Sequence, residues 1–179
     1  MSAPAAGASP VVTAAFGLGA NAGDRLGALR SAVAAIARLG RVVALSPVYE
    51  TEAHVLPGQD AQPDHLNAVV LAETSLAPGP LLAVLHAAER AAGRDERAER
   101  WSARPLDIDL LLWGDAVFDA PGLVVPHPRL AARRFVLAPL ADVAPGAVVP
   151  GTGRTVADLL AACPDRARIA RTTLCLDAP

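Results

Sequence analysis

Hydrophobic residues recur along the chain with two periods, and these periods predict strands that alternate with helices. The β-branched and apolar run VVTAAFG, residues 11–17, is typical of a buried strand. After a glycine-spaced turn, LGANAG, apolar residues recur at every third or fourth position over residues 25–39. This spacing predicts an amphipathic helix with Asp24 as its N-cap and Gly40 at its C-terminal end.

The middle of the chain continues the alternation with two strands and a second helix. Residues 41–49 predict a strand in which Pro47 indicates an edge position or a bulge, because proline has no N–H to donate to a neighbouring strand. Residues 66–74 predict a third strand. Residues 80–92 predict a second amphipathic helix, which Gly93 ends.

The remaining elements complete a recognisable order. PLDIDLLLWGD, residues 105–115, predicts a fourth strand, with a short hairpin arm around Val117 and a helical segment at residues 156–162. The order strand, helix, strand, strand, helix, strand is that of ferredoxin-like α+β folds, in which helices cover one face of an antiparallel sheet. No repeat or linker divides the chain. We therefore expect a single domain over residues 11–179 behind a disordered tail, residues 1–10.

Composition and charge narrow the functional classes. All 16 basic residues are arginines, which excludes a P-loop lysine, a Schiff-base lysine and a lysine general base. With 18 acidic residues the net charge is −2, which argues against nucleic acid or an anionic membrane as a partner. Cys163 and Cys175 have no metal-ligand or disulfide spacing, and the sequence has neither a signal-peptide pattern nor an apolar run of membrane length. We expect a monomeric cytoplasmic protein.

The segment Asp107-Ile108-Asp109 carries the strongest chemical signal. Side chains alternate along a strand, so Asp107 and Asp109 point to one face about 7 Å apart at Cα, while Ile108, Leu110 and Leu112 point to the other. Two carboxylates on one face repel each other and resist burial unless a cation lies between them. Mg²⁺ is the usual cation where carboxylates and substrate phosphates meet. A solvated polar face that pairs with arginines is the alternative.

An arginine-rich loop precedes this strand. Five of the 16 arginines lie within the fifteen residues 90–104, interleaved with acidic residues, and the loop also contains Trp101. Such a loop beside a carboxylate pair is typical of phosphoryl transfer, in which a metal bridges phosphate oxygens and guanidinium groups neutralise charge. An ordinary solvated loop with weak surface ion pairs is the alternative. The five arginines are Arg90, Arg94, Arg97, Arg100 and Arg104.

Four further residues are candidates for contacts with a planar or phosphorylated ligand. His65 and Asn67 are two positions apart on a strand and face the same side, and asparagine complements an amide-like ring edge. They follow a long loop without periodicity, residues 50–65, which is typical of a lid or a binding loop. Phe135 is a candidate stacking partner or an ordinary core residue. His127, between two prolines, is a candidate phosphate donor or a surface turn residue.

Six segments in order, over residues 12–145, resemble the 6-hydroxymethyl-7,8-dihydropterin pyrophosphokinases of the folate pathway. They are GLGANAGD, SPVYET, QPDHLNAVV, Glu89 with Gly93-Arg94, ERWSARPLDIDLLLWGD and VPHPRLAARRFVLAPLADVAP. The resemblance implies the ferredoxin-like fold that the element order also predicts. It further implies Mg²⁺-dependent transfer of pyrophosphate from ATP to the hydroxymethyl oxygen of the pterin, with release of AMP.

The resemblance also implies roles for individual residues on the phosphate side. Asp107 and Asp109 correspond to the ligands of two Mg²⁺ ions along the triphosphate of ATP. Arg94 and Arg104 would be catalytic residues that contact the phosphates, in a loop that closes as a lid over residues 94–104. The remaining nucleotide-binding residues would be Glu89, Arg97, His127 and Arg133.

On the pterin side, the resemblance implies that Asn67 binds the amide edge of the ring and that Thr51 contributes through its main chain. The ring would lie between His65 and Phe135. His65 stands where the family usually has Tyr or Phe, and an imidazole stacks with less area than either.

Two other functions are compatible with parts of the sequence. A nucleotidyltransferase can also combine an antiparallel sheet with paired carboxylates and Mg²⁺, but it releases pyrophosphate rather than AMP. A ferredoxin-like RNA-binding module would carry two or three stacking aromatic residues on its central strands. The strands VVTAAFG and DIDLLLW and the negative net charge disfavour that module.

Overall fold

An antiparallel sheet of six strands organises the computed structural model, which describes residues 10–53, 62–94 and 103–177. The predicted tail up to residue 9, Arg97 and Trp101 lie outside these ranges. The strands of the main sheet are β1 (Val12–Ala20), β2 (Arg41–Leu45), β3 (Tyr49–Thr51), β4 (His65–Thr74), β5 (Asp107–Trp113) and β10 (Ile169–Arg171). Two hairpins lie between β5 and β10, namely β6 (Phe118–Ala120) with β7 (Leu123–Val125) and β8 (Val148–Val149) with β9 (Arg154–Thr155). The helices are α1 (Arg25–Ala37), α2 (Pro78–Ala91), α3 (Arg134–Val143) and α4 (Val156–Ala161).

The strand order confirms the ferredoxin-like fold. The main path is β10-β3-β4-β1-β5, and β2 also pairs with β4. Every pairing is antiparallel, and the first helix follows β1 while the second connects β4 to β5. The predicted second strand is divided into β2 and β3 around Pro47, and β2 has a register shift between Val42 and Ala44. The proline therefore interrupts the predicted strand, and the bulge lies several residues before it rather than at Pro47.

The first strand is longer than the sequence predicts. The turn was expected to begin at Leu18, but β1 continues to Ala20, and both residues are buried. Leu18 pairs with Ala68 and Ala20 pairs with Leu66, so the strand continues as far as its apolar residues reach the core. The helix after it begins as expected, because Asp24 Oδ1 accepts a hydrogen bond of 2.9 Å from the backbone N–H of Gly27.

Helices cover both faces of the sheet, whereas the sequence predicted helices on one face. One face packs against α1 and α2 through a cluster that includes Phe16, Leu29, Ile36, Leu81 and Leu85. The opposite face is covered in part by α3 and α4, through a second cluster that includes Leu111, Leu137, Leu140, Val156 and Leu159. The predicted segment at residues 156–162 corresponds to α4. The sequence analysis missed α3 because Pro139, inside the helix, interrupts its pattern.

Within the described ranges, no helix is both long enough and apolar enough to span a bilayer.

Candidate active site

A cavity of about 480 Å³ opens on the sheet face opposite α1 and α2, at the end that α3 and α4 leave uncovered. Gly17 and Gly19 of β1 lie on its floor, where they pair with Asp109 and Asp107 of β5. Because glycine has no side chain, β1 adds no side chain at these positions to the cavity beside the two carboxylates. A Cβ atom at position 19 would lie 3.3 Å from Asn67 Oδ1. A larger residue at this position would therefore require the Asn67 side chain to shift by a few tenths of an ångström.

The two aspartates share one face of β5, as the alternation predicted. Both line the cavity, while Ile108 and Leu110 are buried in the α1 and α2 cluster. The expectation that Leu112 would follow them is wrong, because Leu112 packs in the opposite cluster. A shift in the β1–β5 register changes the alternation between Leu110 and Leu112.

Asp107 is held by two guanidinium groups. Arg94 Nη1 donates to Asp107 Oδ1 over 2.7 Å, and Arg104 Nη1 lies 3.5 Å from Asp107 Oδ2. All three side chains are about one third exposed. Asp107 thus pairs with arginines, as in the alternative interpretation of the sequence. The pairs are partly buried rather than fully solvated.

Asp109 has looser partners than Asp107. His127 Nε2 and Arg133 Nη1 are both 3.8 Å from Asp109 Oδ2, beyond hydrogen-bond distance. Burial, reinforced by the charge of Asp107, raises the pKa of Asp109, although His127 and Arg133 oppose the rise. Asp109 is thus a carboxylate whose negative charge the protein alone does not fully stabilise, which is the condition that favours a bound cation.

Glu89 connects the helix layer to this carboxylate pair. It lies near the end of α2, is 3% exposed, and its Oε1 accepts a 2.8 Å hydrogen bond from the backbone N–H of Ile108. The same oxygen accepts from Arg94 Nη1, which also donates to Asp107. Burial raises the pKa of Glu89 to about 7. Glu89 therefore orients Arg94 and joins α2 to β5.

His127 presents one ring nitrogen towards the site. Its Nδ1 accepts a 3.2 Å hydrogen bond from the backbone N–H of Arg129, so in the neutral ring Nε2 carries the proton. Burial lowers the pKa of His127, which keeps the ring neutral near pH 7. The Nε2–H group is the one on the Asp109 side and can donate to an anionic oxygen there.

Polar and ring-bearing groups form the other half of the cavity. Asn67, 6% exposed, donates from Nδ2 to Thr51 Oγ1 over 2.7 Å, and this bond fixes the amide plane. One N–H and the oxygen of the amide remain for a ligand edge. His65 and Phe135 both line the cavity, and the Arg133 guanidinium carbon lies 5.3 Å from the centre of the Phe135 ring. This half can accept a flat heterocycle with an amide-like edge.

The structure brings together most of the residues that the sequence singled out. Eight of the twelve line the cavity, namely Thr51, His65, Asn67, Arg104, Asp107, Asp109, Arg133 and Phe135. Three are not among the lining residues but are linked to its carboxylates: Arg94 donates to Asp107, Glu89 accepts from Arg94, and His127 lies 3.8 Å from Asp109. Arg97 lies outside the described residues. The predicted lid and binding loops are only partly described, since residues 54–61 and 95–102 are also outside the described ranges.

Sequence reasoning missed three contributions to the site. It assigned Gly19 to a turn, although strand pairing places it on the floor of the cavity. It gave no role to Asn21, which is fully buried, accepts from the backbone N–H of Arg104 at 2.6 Å and donates to Gln62 Oε1 at 3.2 Å. It also gave no role to the C-terminal segment, which supplies part of the cavity wall. The only signal available in the sequence was the asparagine within the glycine-spaced turn.

The donor set fits a cation that shares its ligands with a substrate. Among the described residues, no group of three or more His, Cys, Asp and Glu side chains is arranged to hold a metal ion. A cation at Asp107 and Asp109 would therefore take its other ligands from water and from substrate oxygens. Mg²⁺ commonly binds in this way, through one or two carboxylates together with phosphates.

Comparison with known proteins agrees with this geometry. Residues 15–145 match the model of a family described as 7,8-dihydro-6-hydroxymethylpterin-pyrophosphokinase (HPPK). A 2-amino-4-hydroxy-6-hydroxymethyldihydropteridine pyrophosphokinase of Pseudomonas aeruginosa is 44% identical over 149 residues, which cover 82% of this chain and 89% of that protein. A pyrophosphokinase of the same description from Synechocystis is 40% identical and covers 82% of this chain and 74% of its own length.

Solved structures show the same fold. A Plasmodium falciparum HPPK-DHPS crystal structure aligns with a TM-score of 0.68 at 15% identity. The alignment covers 88% of this chain, which spans 45% of that longer protein. With the family match over most of the chain, these findings show that the chain belongs to the 7,8-dihydro-6-hydroxymethylpterin-pyrophosphokinase family.

Proposed function

We propose that this chain transfers the pyrophosphoryl group of ATP to the hydroxymethyl oxygen of 6-hydroxymethyl-7,8-dihydropterin, with Asp107 and Asp109 as ligands of Mg²⁺. Family membership supports pyrophosphokinase chemistry in folate synthesis. The observation that carries the residue assignments is a single cavity lined by a carboxylate pair on β5 and, across β1, by an amide on β4 together with two ring-bearing residues.

At the β-phosphorus the reaction forms one bond and breaks one. The hydroxymethyl oxygen forms a bond to the β-phosphorus of ATP, and the bond from that phosphorus to the α–β bridging oxygen breaks. The bonding electron pair leaves with AMP, and the hydroxymethyl proton passes to solvent. Such a displacement requires alignment and charge neutralisation more than a strong base.

The residues present fit Mg²⁺, which when bound would offset the negative charge of the phosphates during transfer. Asp107 and Asp109 would hold it. Their closeness supports this assignment, because the pKa of Asp109 is raised by burial and by its neighbour's charge. A divalent cation would relieve both effects.

The arginines around the pair are placed to bind phosphate. Arg94 and Arg104 donate to Asp107 in the structure, and Arg104 and Arg133 line the cavity. A guanidinium can exchange a carboxylate for a phosphate with the same planar two-point geometry. We therefore assign Arg94 and Arg104 to the transferring phosphates, and Arg133 and His127 to the side near Asp109. Glu89 acts here through Arg94, which it orients, and nucleotide binding by Arg97 is proposed on the resemblance alone.

The second substrate would lie at the opposite end of the cavity. Asn67, fixed by Thr51, offers an N–H and an oxygen to the amide edge of the pterin. His65 and Phe135 offer faces for stacking, and stacking of this type is worth about 0.5–1.5 kcal/mol beyond area burial. This arrangement would direct the hydroxymethyl group towards the carboxylate end.

Product analysis tests the proposal. Purified protein is incubated with Mg²⁺, 6-hydroxymethyl-7,8-dihydropterin and ATP that is labelled at the adenine and at the β-phosphate. We expect equimolar AMP and a pterin that carries the β label. Release of free pyrophosphate with adenylated pterin would identify a nucleotidyltransferase instead, and ADP formation would identify an ordinary kinase. The absence of any turnover with this pterin would also contradict the proposal.

A further inference from the structure

The C-terminal segment, residues 164–171, follows every motif that the sequence analysis singled out, and it nevertheless forms one wall of the cavity. After α4 the chain returns to the main sheet, where β10 pairs with β3 and Ile169 lies opposite Thr51. Asp165, Ala167, Arg168 and Ile169 all line the cavity. The segment is therefore in position to influence the half of the cavity that we assign to the pterin.

Asp165 lies outside α3 in the chain but caps the N-terminus of that helix. The N-cap residue of α3, Arg133, makes no side-chain capping bond. Instead, Asp165 Oδ2 accepts a 3.0 Å hydrogen bond from the backbone N–H of Arg134, the first residue of that helix. Asp165 Oδ1 accepts a 2.9 Å bond from the backbone N–H of Ala167, which fixes the aspartate itself. Asp165 thus satisfies one of the free donors at the helix start, directly beside Phe135.

Arg168 holds the other side of the same pocket. Its Nη2 donates to Asp64 Oδ2, and this bond lowers the pKa of the Asp64 carboxyl. Asp64 immediately precedes His65, the first residue of β4. In addition, the backbone N–H of Glu52 donates to the carbonyl of Arg168 over 3.2 Å. The ion pair therefore fixes the backbone from which the His65 ring projects.

We infer that Asp165 and Arg168 are positioning residues, which hold the Phe135 and His65 sides of the pocket at the spacing that a flat heterocycle requires. This inference rests on the proposed function, because it assumes that the pterin lies between these two rings. Neither residue contacts Asp107 or Asp109 in the structure. Their loss should consequently weaken pterin binding and leave the phosphate chemistry intact.

The expected effects differ in size for a physical reason. Loss of a capping side chain typically destabilises the start of a helix by a free energy that corresponds to about a fivefold change in an equilibrium constant. We therefore expect Asp165→Ala to raise the KM for the pterin by about that factor. Arg168 is more exposed than Asp165, and an exposed ion pair such as Arg168–Asp64 contributes less to stability than a helix cap does. Arg168→Ala should therefore raise the KM for the pterin about twofold. In both variants kcat and the KM for ATP should remain within about a factor of 1.5 of the unsubstituted chain, as expected when only the binding of one substrate changes.

Steady-state kinetics of the full-length protein test the inference, with Arg166→Ala as the matched control. Arg166 is exposed in the same segment and does not line the cavity. Two further measurements distinguish positioning from a general structural role. Asp165→Ser, which keeps a capping oxygen, should restore much of the pterin KM, and added salt should raise that KM in the unsubstituted chain but not in Arg168→Ala.

Three results would overturn the inference: an unchanged pterin KM in Asp165→Ala, equal changes in the two KM values, or the same change in Arg166→Ala. If Asp165→Ala does not fold, the Arg168→Ala and Arg166→Ala pair decides the matter. Failure of the proposed function would be recognised separately, because the unsubstituted chain would then form no AMP from ATP and the pterin.

Discussion

The two faces of strands β1 and β5 differ in what their side chains do. On the face towards α1 and α2, alternate residues are apolar and 5% exposed or less, namely Phe16, Leu18, Ile108 and Leu110. On the opposite face, the residues between them are glycine or aspartate, namely Gly17, Gly19, Asp107 and Asp109. The same backbone thus provides stability through one face and chemistry through the other. Substitutions on the two faces should have separable effects.

The largest expected effect is on the chemical face. Asp109→Asn should reduce kcat by about 10²–10³-fold, because loss of one group that stabilises transition-state charge in an enzyme typically costs about 2.7–4 kcal/mol. The free energy of unfolding should be unchanged or higher, since the substitution removes a partly buried charge that Asp107 repels. Kinetics and urea unfolding on the same preparation measure both quantities. A variant that unfolds easily but keeps the full rate in its folded fraction would show that Asp109 is structural.

Phe16→Ala should give the opposite result. Phe16 is fully buried against α1 and α2, and truncation of such a phenylalanine costs about 3–5 kcal/mol of stability. At a temperature where the variant is folded, its kcat should be close to that of the unsubstituted chain. Val43→Ala, at a 38% exposed position in β2, is the control and should change stability little. A large loss of kcat in folded Phe16→Ala would mean that the two faces are coupled.

Gly19→Ala should have an intermediate effect, confined to the cavity. The new methyl group would lie 3.3 Å from Asn67 Oδ1, so the amide must shift or the methyl must occupy ligand space. Overpacking of this kind costs 1–3 kcal/mol, and we expect a KM for the pterin about tenfold higher. Gly79→Ala is the matched control, because a Cβ there meets no atom within 4 Å. Equal KM values in the two variants would argue against a close fit at Gly19.

His65→Phe should have the smallest effect, visible in the pH dependence of stability. Burial lowers the pKa of His65 below its ordinary value of 6.5, so the unfolded chain binds the proton more readily than the folded chain. The stabilisation from the neutral ring is full above about pH 6.5 and falls as the pH drops towards the folded pKa. Phenylalanine does not titrate, so the variant should become relatively more stable between pH 7 and 5. Urea unfolding at several pH values measures the difference, and parallel curves for the two proteins would contradict it.

The fold was predictable from the sequence because its elements are local and strongly patterned. Each of three local patterns predicts a single type of element: the Asp24 N-cap predicts a helix, and the alternation around Asp107 and Asp109 and the apolar positions of β4 predict strands. The misses have physical causes. Leu112 packs on the unexpected face because of a register shift, and α3 was hidden by Pro139. Neither a register shift nor a tolerated proline can be read from periodicity.

The site was predictable where its residues are close in sequence. It was less predictable where the pairing of strands determines which residues lie next to each other. Asp107 and Asp109 were identified from their spacing, and their metal role remains a prediction. By contrast, the position of Gly19 opposite Asp107 follows only from the β1–β5 register. The contribution of Asp165 depends on a contact with Arg134, 31 residues away in the chain. Long-range contacts of this kind leave no local pattern.

The most direct test of the role of Asp107 and Asp109 in binding Mg²⁺ is isothermal titration with an ATP analogue whose α–β bridging oxygen is replaced by methylene. The analogue carries the full triphosphate charge but cannot undergo cleavage at the bond that breaks. For the unsubstituted chain, Mg²⁺ should strengthen binding at least tenfold, about 1.4 kcal/mol. In a chain with both Asp107→Asn and Asp109→Asn, which should remain folded, this enhancement should disappear. The same enhancement by Mg²⁺ in both proteins would show that the metal binds elsewhere and that the carboxylate pair serves only to hold the arginines.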